Sequence, residues 1–283
     1  MRNTILFVVF IFTLGLSKAN AQQLPFSKPS DSARTGELLR YDLKTAFHSI
    51  KHSFTRPAHW KQKDFTKLGA LLIGTVALSA IDEDANTFFR RQEPRVPEII
   101  KDFGWYVGNP QNYFAASAGI YGFGLFTRNE KIRKTGILII SSSFTTGLLQ
   151  SIGKNAIGRA RPSANIGSTS FDPFSKASKY HSFPSGHTVL SITMAHSIAK
   201  QFDNTWSKIG IYSLGSIAPI SRLLAGAHWL TDVTFSAALS IIVVDGIDKF
   251  LFNSKAYDYP KKEKSIAWNF TFSPNQVGVI GTF

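Results

Sequence analysis

The sequence predicts an all-α fold, a bundle of about six core helices followed by a short C-terminal β-hairpin-like tail. Three observations carry this prediction. Uncharged or nearly uncharged runs occupy 68–81, 103–127, 135–153, 188–199, 209–221 and 233–244. None shows the apolar/polar alternation of a half-buried strand, and all are long for strands. Their Ala, Leu, Ile, Ser and Gly content suits closely approaching helices, most of all in 135–153 with Ser141, Ser142, Ser143, Thr145, Thr146 and Gly147.

Residues 1–21 read as a secretory signal. Arg2 forms a positive region, Ile5 to Leu16 an apolar core, and Ala19-Asn20-Ala21 a small-x-small cleavage site. An uncleaved anchor is the alternative, although the apolar core is short for a span. Residues 22–64 are polar, carry Pro25, Pro29 and Pro57, and read as a loosely packed N-terminal arm with one short helix near 37–51. His48, His52 and His59 lie there as scattered surface histidines. The domain proper is expected over 65–250. The run 103–127 breaks at Gly108-Asn109-Pro110, so a helix is predicted to restart at about Gln111. His196 is expected in the core with a satisfied hydrogen bond. After a Lys-rich linker, Ile266, Trp268, Phe270 and Phe272 alternate with small or polar residues. A turn at 273–276 and the stretch 277–283 complete a hairpin pattern over the tail 251–283, expected to dock on the bundle.

Composition narrows the partners. The net charge of +14 favours anionic ones, namely phosphorylated substrates or acidic lipid surfaces. Nucleic acid fits worst, since no basic run interleaves with aromatics and no nucleic-acid motif appears. The absence of cysteine rules out disulfide and thiol chemistry. Membrane clues conflict: several runs are short of the roughly 20 residues a span needs, and mean hydropathy is near zero. Basic residues nevertheless gather at 51–67, 128–134 and 249–264, on the side opposite the chemistry in a six-helix arrangement. A cleaved signal followed by six spans would put that chemistry on the inner face. The expectation is therefore an exported bundle of the cell envelope, periplasmic and resting on a membrane, with integral spans as the alternative.

Three islands carry the chemistry: Lys154 to Arg161-Pro162, then Pro184-Ser185-Gly186-His187, then Ser221-Arg222 with His228 and Asp232. Three fixed cations suit a phosphate dianion, Arg as a planar fork and Lys as a point charge. A Ser-Gly turn adds donors to the same oxyanion. Two histidines can serve as nucleophile and proton donor. On a helix, His228 and Asp232 would share a face at i and i+4, so the carboxylate could fix the ring tautomer. No Asp/Glu/His cluster has metal-ligand spacing and no Walker-type loop occurs, so no metal is expected.

The order K-x6-RP, PSGH, SR-x5-H-x3-D resembles the signature of the type 2 phosphatidic acid phosphatase (PAP2) superfamily, which also holds class A acid phosphatases and vanadium haloperoxidases. All three islands match, within a region of roughly 65–250. The resemblance implies a helical bundle and a metal-independent phosphomonoesterase that works through a phosphohistidine. His228 would be the nucleophile, Asp232 its orienter, and His187 the acid and then the base. Lys154, Arg161 and Arg222 would hold the phosphoryl oxygens with Ser185 and the Gly186 amide, while Ser221 is either ligand or support. The substrate would be a lipid phosphate or diphosphate, with a soluble phosphomonoester close behind. Vanadate would inhibit or, in a haloperoxidase, act as cofactor. The loop 163–183 is expected to pass over the site. Phe171, Phe174, Tyr180 and Phe183 either line an apolar entrance or pin the loop, and His181 is given no catalytic role. Trp229 is expected to pack.

Overall fold

The computed structural model describes residues 24–30, 32–258, 267–273 and 276–282, and for the last two segments the backbone alone. The expected signal and the linker over 259–266 lie outside the described residues. Nine α-helices are present among the described residues: α1 (Thr35–Thr55), α2 (Gln62–Ser79), α3 (Asp82–Gln92), α4 (Glu98–Gly108), α5 (Pro110–Phe126), α6 (Glu130–Ile157), α7 (Gly186–Ala199), α8 (Thr205–Leu224) and α9 (Leu230–Asn253). Two strands, β1 (Ala267–Ser273) and β2 (Gln276–Thr282), pair antiparallel with Ser273 opposite Gln276.

Each predicted run is a helix, but the ends fall elsewhere because caps, not hydrophobicity, set them. The run 135–153 grows to a helix of 28 residues. It starts where the Asn129 side chain accepts from the Ile132 amide, and it stops at Gly158 in the left-handed region (φ 58°). The break at 108–110 occurs as expected, with Pro110 itself opening α5 under an Asn109 cap. An unexpected bend of 65° separates α2 from α3, which begins with the acids Asp82, Glu83 and Asp84. These acids complement the positive end of α3.

The bundle is built from pairs: α5 on α6, α7 on α8 and α9, α4 on α8, and α1 on α6 and α9. Two buried threonine hydroxyls of α6 fold back onto their own helix: Thr145 donates to the Ser141 carbonyl (2.9 Å) and Thr146 to that of Ser142 (2.8 Å). That satisfies them without a partner helix and lets the neighbours close in.

The expected loose arm is corrected. Its helix α1 is 21 residues long and docks across one end of the bundle, touching the C-terminal part of α5, the start of α6 and the end of α9. There the Asp42 carboxylate, fully buried, takes two hydrogen bonds from Arg133 (both 2.8 Å) and one each from Tyr121 (2.9 Å) and Tyr257 (2.7 Å). Removing one partner of such a buried pair costs about 3–5 kcal/mol, so the helix is pinned electrostatically as well as by Tyr41 and Ala46 in the core. His52 is no free surface residue, since it stacks on Phe250 with centroids 4.4 Å apart. His196 is held on both nitrogens, by Tyr212 (2.6 Å) and Asp245 (3.0 Å).

Two helices, α6 and α9, are long and apolar enough to cross a membrane by length and composition, and the bent pair α2–α3 passes the same test as one unit. Both α6 and α9 are longer than the apolar runs 135–153 and 233–244 from which they were expected. The outer rows of α6 (Phe144, Leu148, Ile152) and α9 (Ile241, Ile242, Phe252) are exposed, as are Phe114, Phe123 and Phe126 on α5. So much exposed apolar surface is far outside the habit of a soluble monomer.

Candidate active site

Five of the residues picked from the sequence converge on one cavity of about 620 Å³: Lys154, Arg161, His187, Arg222 and His228. Each arrives on a different element. Lys154 is in the last turn of α6, Arg161 lies just beyond it, His187 opens α7, Arg222 is in the last turn of α8, and His228 precedes α9. Gly186 also lines the cavity. The N-cap Ser185 makes no side-chain cap, so the first amides of α7 keep their donor capacity toward an anion. Ser185 itself lies behind the wall, fully buried. Its amide donates to Ser236 (2.8 Å) and its hydroxyl accepts from Thr188 (3.0 Å).

The two arginines are held by carbonyls and a hydroxyl rather than by acids. Arg161 donates through Nε to the Ser178 carbonyl (3.1 Å) and through Nη1 to that of Ala227 (3.1 Å). Arg222 donates through Nε to the Ser221 hydroxyl (3.2 Å), which in turn donates to the Ala218 carbonyl (2.8 Å). Ser221 is thus a support for Arg222. Among the described residues no carboxylate lines the cavity. Like charges left uncompensated are what an anion site needs.

His228 is not on the helix that carries Asp232. The N-cap of α9 is Trp229, whose amide donates to Asp232 Oδ2 (2.8 Å), so His228 stands one residue outside. Its Nδ1 faces Asp232 Oδ2 at 3.6 Å, a close charge contact rather than a hydrogen bond. With Nδ1 turned to the carboxylate, Nε2 lies across the ring from it. Full burial lowers the His228 pKa from the usual histidine value; Asp232 opposes this, and Arg161 and Lys154 add to it. Burial also depresses His187, to about 4, with Arg222 the leading charge behind the shift. Its Nε2 makes no hydrogen bond to protein. The last residue of α4 must be glycine-sized, because a Cβ at Gly108 would overlap the His187 ring.

The rest of the wall decides against the first of the two readings of the loop aromatics, an apolar entrance. Phe171, Phe174, Tyr180 and Phe183 do not line the cavity; Phe171 and Phe174 are exposed, and Phe183 packs against Phe235 with centroids 4.7 Å apart and the rings tilted by 40°. The apolar lining comes from the helices instead, through Phe114, Phe144, Leu148, Val189 and Leu190. The loop's contribution is its backbone, which holds Arg161. Trp229 packs as expected, donating from Nε1 to the Ala160 carbonyl (2.7 Å).

Two residues that sequence reasoning passed over stand behind the site. Arg159, inside the first island, is buried and ion-paired to both Asp232 (2.8 Å) and Asp82 (2.7 Å). The signal available was an arginine two places before Arg161 and an acid closing the otherwise apolar run 68–81.

A family model described as the PAP2 superfamily matches residues 135–254, which hold every island named above. The chain carries a PAP2 superfamily domain. Relatives of this PAP2 domain include lipid A 1-phosphatases of Porphyromonas gingivalis (26% identical over 133 residues), Rhizobium etli (32% over 100) and Rhizobium johnstonii (36% over 90). These alignments cover 45, 35 and 31% of this chain and 26, 42 and 36% of the relatives' lengths. Among solved structures, the crystal structure of Aquifex aeolicus LpxE aligns with a TM-score of 0.43 at 22% identity, over 58% of this chain and 93% of that one.

Proposed function

We propose that this protein is a metal-independent phosphatase of lipid phosphates, of the lipid A 1-phosphate type, working through a phosphohistidine at a membrane surface. The observation that carries the reading is the convergence of Lys154, Arg161, Arg222, His187 and His228 on one cavity with an apolar wall. In the first half-reaction, the His228 Nε2 lone pair attacks phosphorus and the P–O bond to the lipid breaks, while His187 gives its proton to the leaving oxygen. In the second, water attacks phosphorus, His187 takes the water proton, the P–N bond breaks and inorganic phosphate leaves. The three cations match the charge on the equatorial oxygens throughout, so positioning and electrostatics supply most of the acceleration. Among the described residues no group of three or more metal-binding side chains occurs.

Lipid access follows from where the cavity opens. Phe144 (58% exposed) and Leu148 (42%) belong both to its wall and to the outer face of α6. We place α6 and α9 across the bilayer. From Arg133 to Lys154, α6 rises about 32 Å, close to the roughly 30 Å of a hydrocarbon core. That sets the Asp42–Arg133 cluster at one surface and the phosphate site at the other. Arg128, Lys131 and Arg133 gather at the end away from the site, the pattern of an inward-facing end. At the same end α1 presents Leu43 (60% exposed) and Phe47 (64%) beside Arg40, Lys44 and Lys51, an interfacial face. Alkaline carbonate extraction checks the seat: the protein is expected to stay with membranes, and release into the supernatant overturns it.

The function itself is tested by a substrate panel in EDTA: lipid A 1-phosphate, phosphatidate, a prenyl diphosphate, an aryl phosphate and a nucleotide, with bromide oxidation as control. Phosphate release from the lipid phosphates above the rest is expected. A requirement for added divalent metal, turnover confined to soluble esters, or vanadate-dependent bromide oxidation would each overturn the reading.

A further inference from the structure

We propose that Arg159 and Asp82 form a buried clamp that holds the Asp232 carboxylate against His228 and sets the charge available to the ring. The proposal rests on the phosphohistidine reading. Arg159 sits at the crossing of three segments: its Nε donates to the Ser168 carbonyl (2.9 Å), its Nη1 to Thr231 Oγ1 (2.6 Å) and Asp232 Oδ1 (2.8 Å), and its Nη2 to Asp82 Oδ2 (2.7 Å). Asp82, the first residue of α3, accepts from the Thr231 amide (3.0 Å) and hydroxyl (2.6 Å). Asp232 Oδ2 meanwhile accepts from Ser182 and from the Trp229 amide. Both carboxylates are fully buried. Three donors thus hold Asp232, one on Oδ1 and two on Oδ2, and they fix the oxygen that faces His228.

Charge decides why two acids are present. One arginine between two aspartates leaves the buried cluster with a single net negative charge. His228 is otherwise faced by cations alone, Lys154 from α6, Arg161 from the loop and Arg222 from α8, together with His187 from α7. When Nε2 bonds to phosphorus the ring becomes cationic, with Nδ1–H toward Asp232. The clamp's surplus charge is then cancelled inside the protein, at a place no solvent reaches. If Asp82 were absent, Arg159 would neutralise Asp232 and the ring would meet only positive neighbours. Arg159 and Asp82 act through Asp232 and are positioning residues; neither lines the cavity.

The two ends of the clamp make opposite predictions. Asp82→Asn removes a negative charge. The acid limb of kcat/KM, where His228 takes up a proton, is expected to move to lower pH, and kcat to fall roughly tenfold or more. KM and inhibition by inorganic phosphate stay near wild type. Arg159→Met removes the positive charge and moves the same limb to higher pH, whereas Arg159→Lys keeps it in place with part of kcat restored. Asp82→Asn and Arg159→Lys carry the test if Arg159→Met fails to fold. An active wild type with unmoved limbs in both variants, or losses that only track the amount of folded protein, overturns the clamp. A wild type inactive on all phosphate esters overturns the phosphatase reading instead.

Discussion

Replacement of His228 by alanine is expected to remove turnover altogether, by about 10⁴-fold or more, the size seen when a covalent nucleophile is lost. Without the ring, water would have to attack phosphorus directly. Among the described residues that line the cavity, His187 is the one other imidazole. His187 is needed on the leaving-group side, so it cannot serve both faces of an in-line displacement. The measurement is phosphate release together with acid-labile, base-stable labelling from a radioactive substrate. Both are expected to vanish in His228→Ala. Retention of full-speed aryl phosphate hydrolysis, or of the label, overturns the nucleophile assignment. Folding is checked independently by detergent-resistant secondary structure, because the side chain is buried and its removal leaves a cavity.

Replacement of His187 by alanine is expected to act selectively. General acid catalysis contributes about 10²–10⁴-fold, and it matters in proportion to the basicity of the leaving oxygen. Hydrolysis of an alkyl or lipid phosphate therefore falls through that whole range, whereas an aryl phosphate, whose phenolate leaves unaided, keeps its rate of histidine phosphorylation. A burst of phenol followed by slow turnover is the expected trace, since the water-activating role is lost as well. Equal losses in the rate of histidine phosphorylation on both substrates, with no phenol burst, overturn the acid assignment. The pH dependence has a definite sign. Burial keeps His228 below the ordinary histidine value, so it remains a free nucleophile into mildly acidic solution and the acid limb lies below that value. His187 must be protonated, and burial and Arg222 hold it at about 4, so kcat/KM declines as pH rises above that region. A bound phosphoryl group supplies negative charge and favours the protonated ring, so the alkaline limb of kcat lies at higher pH than that of kcat/KM.

Much of the fold was legible because helices bury or expose themselves residue by residue, and an apolar run records that locally. The six runs all appear as helices, and the break before Pro110 falls where its missing N–H predicts. The arm was misjudged for the opposite reason. Helix α1 is polar in composition and is anchored by an ion pair between Asp42 and Arg133, 91 residues apart, which leaves no periodic mark. The site shows the same division. Lys154, Arg161, His187, Arg222 and His228 were recognisable because phosphate chemistry restricts residue types. Arg159 and Asp82 were not, since an acid after an apolar run reads as a solvated helix start. The i, i+4 pairing does bring His228 Nδ1 to 3.6 Å from Asp232, but the two do not share a helix, because Trp229 takes the N-cap and leaves His228 one residue outside it.

By itself the sequence determined that the chain is helical and which side chains could meet a phosphate, because both depend on short-range periodicity and on the chemistry of single residues. Only the tertiary structure decided that those side chains share a cavity, that its apolar wall comes from α5, α6 and α7 rather than from the loop, and that Asp232 is held by Arg159 and Asp82. Those are contacts between segments separated by scores of residues. They come from packing and from the need to neutralise charge out of water, neither of which any local stretch of sequence records.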